Sequence, residues 1–231
     1  MIELYLMAAS LFLLGFLVMV VPKYIKFVNS KYKFSSGNGF LKTVLDIGNY
    51  GEFLTFTVLE KLGNNQKLLT NLYIPKEDGT TTEIDLVLIS NTGIYVIESK
   101  NYSGWIFGDE KNKNWTQSLP NKRKNQFFNP VWQNSAHINA LKNVLEFKND
   151  DFYKSYIVFS ERCTLKKINV SSKIKVIKRD SFLKSIKSDI ECSSKLLSEP
   201  EVDKLYNFLQ KFSLASDNIK KNHINRLKVK A

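Results

Sequence analysis

The sequence is poor in the two residue types that build most zinc sites and cross-links. It contains two cysteines, Cys163 and Cys192, and two histidines, His137 and His223. The two cysteines form neither a metal-ligand pair nor a disulfide framework, which is typical of a protein from a reducing compartment. Two histidines are too few for a histidine-rich zinc site. Any metal bound here must therefore be held by oxygen ligands, which indicates magnesium or manganese.

Acidic residues are the minority among the charged residues. The chain has 22 Asp and Glu against 34 Lys and Arg, which gives a formal net charge of +12. Such an excess predicts attraction to polyanions, either nucleic acid or an anionic lipid surface, and it does not separate the two. The hydrophobic content of 43%, with 16 Phe and 10 Tyr, is enough for a real core. A length of 231 residues predicts one ordinary domain with appendages, or at most two small domains.

The N-terminal segment is apolar. Residues 4–21 carry no charge and are interrupted only by Ser10 and Gly15. This length is at the lower end of what spans a hydrocarbon core about 30 Å thick. A secretory signal peptide is the alternative, but it needs a basic start, a shorter apolar run and a small-residue cleavage site. Because Glu3 precedes the run and no such site follows it, we predict a transmembrane anchor in residues 1–22, with residues 4–21 in the lipid bilayer.

Basic residues follow this run directly, and none precedes it. The four lysines are Lys23, Lys26, Lys31 and Lys33. The positive-inside tendency then predicts a single-pass protein of the cell membrane, with its N-terminus outside and the rest of the chain in the cytoplasm. Residues 23–44 are predicted to be a basic juxtamembrane linker. Within it we expect Tyr24 and Phe27 at the membrane interface and residues 35–39 as a flexible tether.

The patterning of the remaining chain predicts an α/β domain with a mixed central sheet flanked by helices. Helical spacing and capping residues, among them Asn129 followed by Pro130, predict helices at residues 49–62, 130–147, 182–186 and 202–212. Short apolar runs predict strands at residues 68–74, 84–89, 94–100, 156–159 and 174–177. The predicted core covers residues 45–150, with a basic, loop-rich stretch at 101–126. Residues 151–215 complete the domain, and residues 216–231 form a basic tail.

The second and third strands form a predicted hairpin that carries the chemistry. If the turn between them has an even number of residues, Ile89 faces Ile94 and Asp85 faces Glu98. Directly opposed side chains have Cβ atoms about 4.5–5.5 Å apart. Two carboxylates at that distance repel by about 3 kcal/mol at an effective dielectric constant of 20, and a divalent cation would compensate that repulsion. The same register places Lys100 next to Glu98.

These groups suit phosphodiester hydrolysis. A bound Mg²⁺ or Mn²⁺ can lower the pKa of a water molecule and polarise a phosphate oxygen. The Lys100 ammonium can orient the attacking water or stabilise charge on the phosphorus. An odd turn would put Asp85 and Glu98 on opposite faces and remove the site. The alternative interpretation is an ordinary charged surface on which Lys100 pairs with Glu83.

Two more side chains are candidates for the catalytic set. Glu52 has two interpretations: it completes a capping box with Asn49 at the helix start, or it faces the sheet and reaches the metal directly or through water. Gln133 lies near the start of a later helix, where it could orient a phosphate or a water molecule. His137 shares its helical stripe and is interpreted as a core histidine outside the catalytic set. Five basic residues of the 101–126 stretch are candidates for nucleic-acid binding: Lys111, Lys113, Lys122, Arg123 and Lys124.

Four short motifs, in this order, resemble the NERD (nuclease-related) domain family. They are Gly48-x-x-Gly51-Glu52, Glu83-Ile84-Asp85, Val96-Ile97-Glu98-Ser99-Lys100 and Asn129-Pro130-x-x-Gln133. The resemblance spans roughly residues 45–150 and implies the restriction-endonuclease-like core of the PD-(D/E)XK nuclease superfamily. By that similarity Asp85, Glu98 and Lys100 correspond to the D…ExK signature. Glu52 then corresponds to the acidic residue of the first helix, and Gln133 to a glutamine of some relatives.

Residues and resemblance together predict a membrane-anchored nuclease that depends on Mg²⁺ or Mn²⁺ and cleaves DNA or RNA without an organic cofactor. One alternative is a catalytically silent module that binds nucleic acid or acts as a scaffold on the same fold. In that case the basic run at residues 122–124 would matter more than the carboxylates. A third possibility is that the basic surface lies against anionic lipid beside the anchor.

Overall fold

The computed structural model describes residues 1–63, 66–171 and 173–215. Within these ranges two mixed sheets are flanked by helices, and one long apolar helix lies at the N-terminus. The predicted α/β class with a mixed central sheet is therefore confirmed. The predicted basic tail, residues 216–231, lies outside the described residues.

The helices and strands of the described ranges are as follows. The helices are α1 (Ile2–Val28), α2 (Tyr32–Ser36), α3 (Phe40–Leu45), α4 (Ile47–Leu59), α5 (Pro130–Leu145), α6 (Arg179–Cys192) and α7 (Glu199–Leu209). The strands are β1 (Lys67–Pro75), β2 (Thr81–Ser90), β3 (Gly93–Lys100), β4 (Gly104–Asp109), β5 (Asn114–Ser118), β6 (Lys124–Phe128), β7 (Tyr153–Phe159), β8 (Cys163–Asn169) and β9 (Ile174–Lys178). Short 3₁₀ turns occupy Glu60–Leu62, Asp150–Phe152 and Gln210–Phe212.

The larger sheet has the order β1-β2-β3-β7-β9. Its first three strands are antiparallel, and β3, β7 and β9 run parallel to one another. One face packs against α5 and α7, through residues such as Leu141 and Leu205. The other face packs against α4 and α6, through Phe53 and Phe182. Because both faces are covered, the central strands are continuous apolar runs, and those runs are what made them predictable.

The β2–β3 turn has the even length that the site requires. Ser90 pairs with Gly93, which leaves a two-residue turn, and Ile89 pairs with Ile94 as predicted. Gly93 has φ +129°, and a Cβ at this position would lie 2.6 Å from the carbonyl oxygen of Phe152. Both the backbone angle and this close approach require glycine.

The prediction of a loop-rich stretch at residues 101–126 is wrong. These residues form β4, β5 and part of β6, which join β8 in a second, smaller sheet with the order β6-β5-β4-β8. Alternate side chains of each strand point to the inner face of this sheet, where Ile106, Trp115 and Phe127 pack against Phe159. Each strand is only five to seven residues long, and apart from residues 105–107 none has three consecutive apolar residues. A search for continuous apolar runs therefore misses all four strands.

The helix α1 continues through Pro22 to Val28, which lengthens the predicted anchor. Within the described part of the chain it is the one helix long and apolar enough to cross a membrane, and its apolar stretch is uncovered by the rest of the protein. The C-terminal end of α1 packs on the domain. Phe27 is buried, with its ring centroid 5.6 Å from Phe40 and 5.7 Å from Phe53. The prediction that Phe27 lies at the membrane interface is therefore wrong.

The flexible tether predicted at residues 35–39 is also wrong. Ser36 and Asn38 are buried, and the Ser36 hydroxyl donates to the carbonyl oxygen of Tyr32 at 2.8 Å. Gly37 has φ +71° and ends α2 in the left-handed conformation. A Ser-Ser-Gly-Asn-Gly sequence is typical of flexible linkers, but it also supplies the residues that a helix C-terminus needs.

Candidate active site

Two of the predicted catalytic carboxylates lie where the β2–β3 ladder ends. Its last paired residues are Leu86 and Ile97, so Asp85 and Glu98 are the next residue of each strand. The main chain of Ser99 donates to Asp85 Oδ2 at 2.8 Å. This hydrogen bond replaces a main-chain pair and fixes the Asp85 carboxylate beside β3.

Glu98 is at the centre of the cluster and is only 1% exposed. Its Oε1 lies 2.7 Å from Lys100 Nζ, and its Oε2 lies 3.0 Å from His137 Nε2. Lys100 Nζ also donates to Gln133 Oε1 at 3.0 Å. The structure therefore brings three of the predicted catalytic side chains, Glu98, Lys100 and Gln133, into direct contact.

His137 is a buried histidine, as predicted, and it also contacts the candidate catalytic residue Glu98. Its Nδ1 lies 2.8 Å from the Thr82 hydroxyl, while Nε2 faces Glu98. A neutral imidazole donates from one nitrogen and accepts at the other, so a ring that donates to Glu98 accepts the proton of Thr82. The sequence signal for this contact is the spacing of four residues from Gln133 along α5, which puts both side chains on one face of the helix.

Glu52 faces the sheet, and the capping-box interpretation is wrong. The residue that caps α4 is Asp46, whose Oδ1 accepts from the Asn49 main chain at 2.7 Å. Glu52 lies one turn further along and is buried. Its Oε1 is 2.8 Å from the Tyr32 hydroxyl and 2.6 Å from the Thr70 hydroxyl.

The strand β1 is locally irregular beside these carboxylates. Asn71 has φ 54°, and with its amide nitrogen turned inward this nitrogen lies 2.8 Å and 3.0 Å from the two oxygens of Glu52. Thr70 Oγ1 is also 2.8 Å from the carbonyl oxygen of Asp85. Glu52 is thus held by three donors, and one of them, the Thr70 hydroxyl, also contacts the main chain of Asp85. The contacts made by Tyr32 and Thr70 were missed because nothing in the sequence marks residues so far apart as partners, although an asparagine within the apolar run of β1 is a weak signal.

The carboxylates differ in their electrostatics. Burial raises the pKa of Asp85 well above its ordinary value, and the neighbouring Glu98 and Glu52 charges act in the same direction. Burial also raises the pKa of Glu52 to about 8, against the effect of its hydrogen bonds. Burial alone would raise the pKa of Glu98 too, but Lys100 and His137 together hold that pKa below its ordinary value.

Lys100 shows the reciprocal effect. Burial disfavours its ammonium, but the carboxylates of Glu98 and Asp85 outweigh that cost and raise the pKa of Lys100. Lys100 and Glu98 therefore form a charged pair at neutral pH, next to an acid that resists ionisation when no cation is bound.

The donor set fits a hard cation that needs few protein ligands. Proteins bind Mg²⁺ through one or two carboxylates and leave the other positions to water and phosphate oxygens. Asp85 and Glu98 are two such carboxylates. Over residues 1–63, 66–171 and 173–215, no three His, Cys, Asp or Glu side chains gather into a possible metal cluster. Each Glu98 oxygen already has one partner, Lys100 or His137, so a cation that binds Glu98 either shares an oxygen with one of them or displaces it.

The predicted nucleic-acid-binding residues lie on the small sheet, and all five are exposed. Lys111 and Lys113 belong to the β4–β5 turn. Lys122 and Arg123 belong to the β5–β6 turn, and Lys124 begins β6. Because both connections join antiparallel strands, the two basic turns lie at opposite ends of this sheet.

The described elements form a mixed α/β domain whose β2–β3 hairpin carries the carboxylates Asp85 and Glu98. The family profile described as "nuclease-related domain" (NERD) matches residues 47–160. An uncharacterized protein of Bacillus anthracis is 36% identical over 182 residues, which cover 78% of this chain and 83% of that protein. No solved structure matches this chain. The chain belongs to the nuclease-related domain family.

Proposed function

We propose that this protein is a membrane-anchored nuclease that depends on Mg²⁺ or Mn²⁺ and hydrolyses phosphodiester bonds of DNA or RNA. The observation that carries the proposal is the contact of Lys100 with both Glu98 and Gln133, beside the carboxylate of Asp85. Membership of a nuclease-related family supports it. The combination of carboxylates with a fixed ammonium is suited to a substrate that is itself an anion.

Asp85 and Glu98 would hold the metal through their carboxylate oxygens. Glu52 would act through an intervening water, because three donors already engage its oxygens. When bound, such an ion lowers the pKa of a coordinated water and neutralises charge on the phosphate.

The side chains around the carboxylates position the reacting groups. Lys100 offers its ammonium to the attacking water or to a phosphate oxygen, and Gln133 restricts where that ammonium can point. His137 holds the second oxygen of Glu98 and so sets the orientation of this carboxylate. Away from the reacting phosphate, the basic turns at Lys111, Lys113 and residues 122–124 would contact the sugar-phosphate backbone.

The helix α1 supplies the proposed membrane attachment. Its apolar stretch precedes four lysines within residues 23–33, and this asymmetry favours a cytoplasmic domain and an external N-terminus. The substrate would then be nucleic acid that reaches the cytoplasmic face of the membrane.

One observation favours a second candidate, a nucleic-acid-binding module without turnover. Both oxygens of Glu98 are already occupied, by Lys100 and by His137. If these two side chains keep a metal ion away from Glu98, the fold retains its basic surface but cannot hydrolyse phosphodiesters.

One experiment on the full chain in detergent micelles distinguishes the two candidate functions. Labelled single- and double-stranded DNA and RNA are incubated with Mg²⁺, Mn²⁺ or EDTA, using the wild type and Asp85→Asn. A nuclease cleaves only with metal, and Asp85→Asn abolishes cleavage. The matched control is Asp203→Asn, which removes an exposed carboxylate on α7 that pairs with Lys67. Equal cleavage by the wild type and Asp85→Asn would contradict the assignment, and binding without cleavage would favour the silent module.

A further inference from the structure

The outer face of the small sheet carries uncovered aromatic side chains. Side chains along β4 alternate between its two faces, and Ile106 is completely buried on the inner one. Its neighbours Trp105 and Phe107 point the other way and are 52% and 37% exposed. Two large rings at adjacent outward positions form an apolar surface that the described part of the fold leaves open.

The residues beside these rings are small or polar. In the cross-strand register Trp105 lies opposite Ser118 and Phe107 opposite Thr116. On the next strand, β6, the corresponding residues are Lys124 and Gln126. No long apolar chain from β5 or β6 therefore stands between the rings and a flat ligand.

The charge on this face is mainly positive. On the β8 side, Lys166 Nζ lies 4.9 Å from the ring centroid of Trp105, and Lys167 pairs with Phe107 in the register. Asp109, at the end of β4, is the exception, and Asn169 and the Lys111 main chain donate to its carboxylate, each at 2.8 Å. A shallow cavity of about 260 Å³ lies beside Phe107 and is lined by Thr116, Lys167 and Asp109, among others.

We propose that this face binds single-stranded nucleic acid, with bases stacked on Trp105 and Phe107 and phosphates held by the surrounding lysines. Aromatic rings in a basic groove are what proteins use to hold unpaired strands, because every base offers a flat π-face. In a duplex those faces are stacked on one another and cannot reach the rings. Positive charge on both sides of the rings favours a polyanion over a neutral apolar partner.

This inference rests on the proposed function and specifies that the nucleic-acid substrate is single-stranded. The small sheet is continuous with the elements that carry the candidate site. The strand β4 begins at Gly104, shortly after Lys100, and β6 leads through Asn129 into α5, where Gln133 lies. A strand held on the small sheet is therefore bound by the part of the fold that adjoins the catalytic hairpin.

The test is a binding measurement that needs no catalysis. The full chain in detergent micelles is titrated, in EDTA, into fluorescein-labelled oligothymidylate, oligouridylate or a DNA duplex, and anisotropy is recorded. We expect tighter binding of the single strands, and the two oligonucleotides show whether DNA or RNA is preferred. Trp105→Ala should weaken single-strand binding roughly 5- to 100-fold, whereas Trp105→Phe, which still stacks, should retain most of it. Lys167→Gln should flatten the salt dependence.

Phe208→Ala is the matched control, because Phe208 is also 37% exposed but lies on α7. Thermal unfolding of each variant shows that it is folded. Unchanged single-strand binding by the Trp105→Ala, Phe107→Ala double variant would overturn the proposal. So would duplex binding as tight as single-strand binding, or a wild-type dimer that Trp105→Ala dissociates. Single-strand binding without any cleavage would support this binding surface and contradict the proposed nuclease activity. Metal-dependent cleavage together with unchanged single-strand binding by the double variant would support the nuclease activity and contradict this binding surface.

Discussion

At the scale of single residues, the environments of the three carboxylates push their pKa values apart. Glu98 is ionised because Lys100 and His137 accompany it. Asp85 and Glu52 are buried near other negative charges, so the pKa of each is raised. Groups that differ in this way can take different roles in one site, as a fixed anion and as carboxyls that ionise when a cation arrives.

Glu52 should make the stability of the metal-free protein depend on pH. Its pKa is raised to about 8 in the folded state, so the folded protein retains a proton that the unfolded chain releases. The stabilisation is complete below the ordinary glutamate pKa and is lost as the pH rises through about 8. In EDTA, denaturant unfolding at acidic and alkaline pH should show a smaller decline for Glu52→Gln than for the wild type. Parallel declines would contradict the assignment.

Lys100 is expected to contribute to turnover more than to binding. Replacing it with Gln removes the ammonium that would face the phosphate in the proposed reaction, and loss of one such electrostatic contact lowers kcat by about 10²- to 10³-fold. Lys67→Gln is the control, because Lys67 forms an exposed ion pair with Asp203. Single-turnover cleavage rates at saturating Mg²⁺ provide the measurement. An equal effect of the two substitutions would show that only general charge matters.

At the scale of elements, the β2–β3 hairpin decides whether there is a site at all. The side-chain period of a strand is two, so its two-residue turn is what places Glu98 and Lys100 on the face that Asp85 also occupies. Gly93 maintains that turn in a backbone conformation that other residues adopt only under strain.

Gly93→Ala should therefore destabilise the fold. The new Cβ would meet the Phe152 carbonyl, and the backbone would keep a positive φ, so we expect a loss of about 1–3 kcal/mol in the free energy of unfolding. Gly39→Ala is the comparison, because Gly39 has φ −74° and no atom within 4 Å of the added carbon. Urea denaturation of both variants makes the measurement, and equal stabilities would contradict the account.

The elements also show what the sequence could predict and why. Continuous apolar runs marked β2, β3 and β7 because these strands are buried on both faces. The register argument placed Asp85, Glu98 and Lys100 together on the condition of an even turn, and the two-residue turn of the structure meets that condition. The small sheet was missed because its strands are short and half exposed. The donors to Glu52 were missed because they come from α2 and β1, whose packing is a property of the whole fold.

At the scale of the whole molecule, the C-terminal end of α1 and the segment after it pack on the domain. Phe27 and Tyr32 are buried against α4, and the hydroxyl of Tyr32 donates to Glu52. The segment after α1 is thus part of the candidate site, although it lies outside the residues 47–160 that define the family match.

The orientation of the protein can be tested with its own cysteines. Cys192 is exposed and Cys163 is buried, so a bulky maleimide should react with Cys192 alone. With a cytoplasmic domain, a membrane-impermeant maleimide should label the protein in inverted vesicles but not in intact cells. Cys192→Ser should remove the label. Labelling in intact cells would place the domain outside.

The hydrogen bond between Tyr32 and Glu52 limits the positions at which recombination can join this domain to another N-terminal segment. A crossover at residue 47 would transfer every residue of the family match to a new membrane segment, yet it would leave a buried glutamate without its phenol donor and uncover Phe53. A gene fusion that preserves the domain has to join it upstream of Phe27. The residues from Phe27 onward are therefore inherited together with the domain, whereas the uncovered apolar stretch of α1 before them can be exchanged.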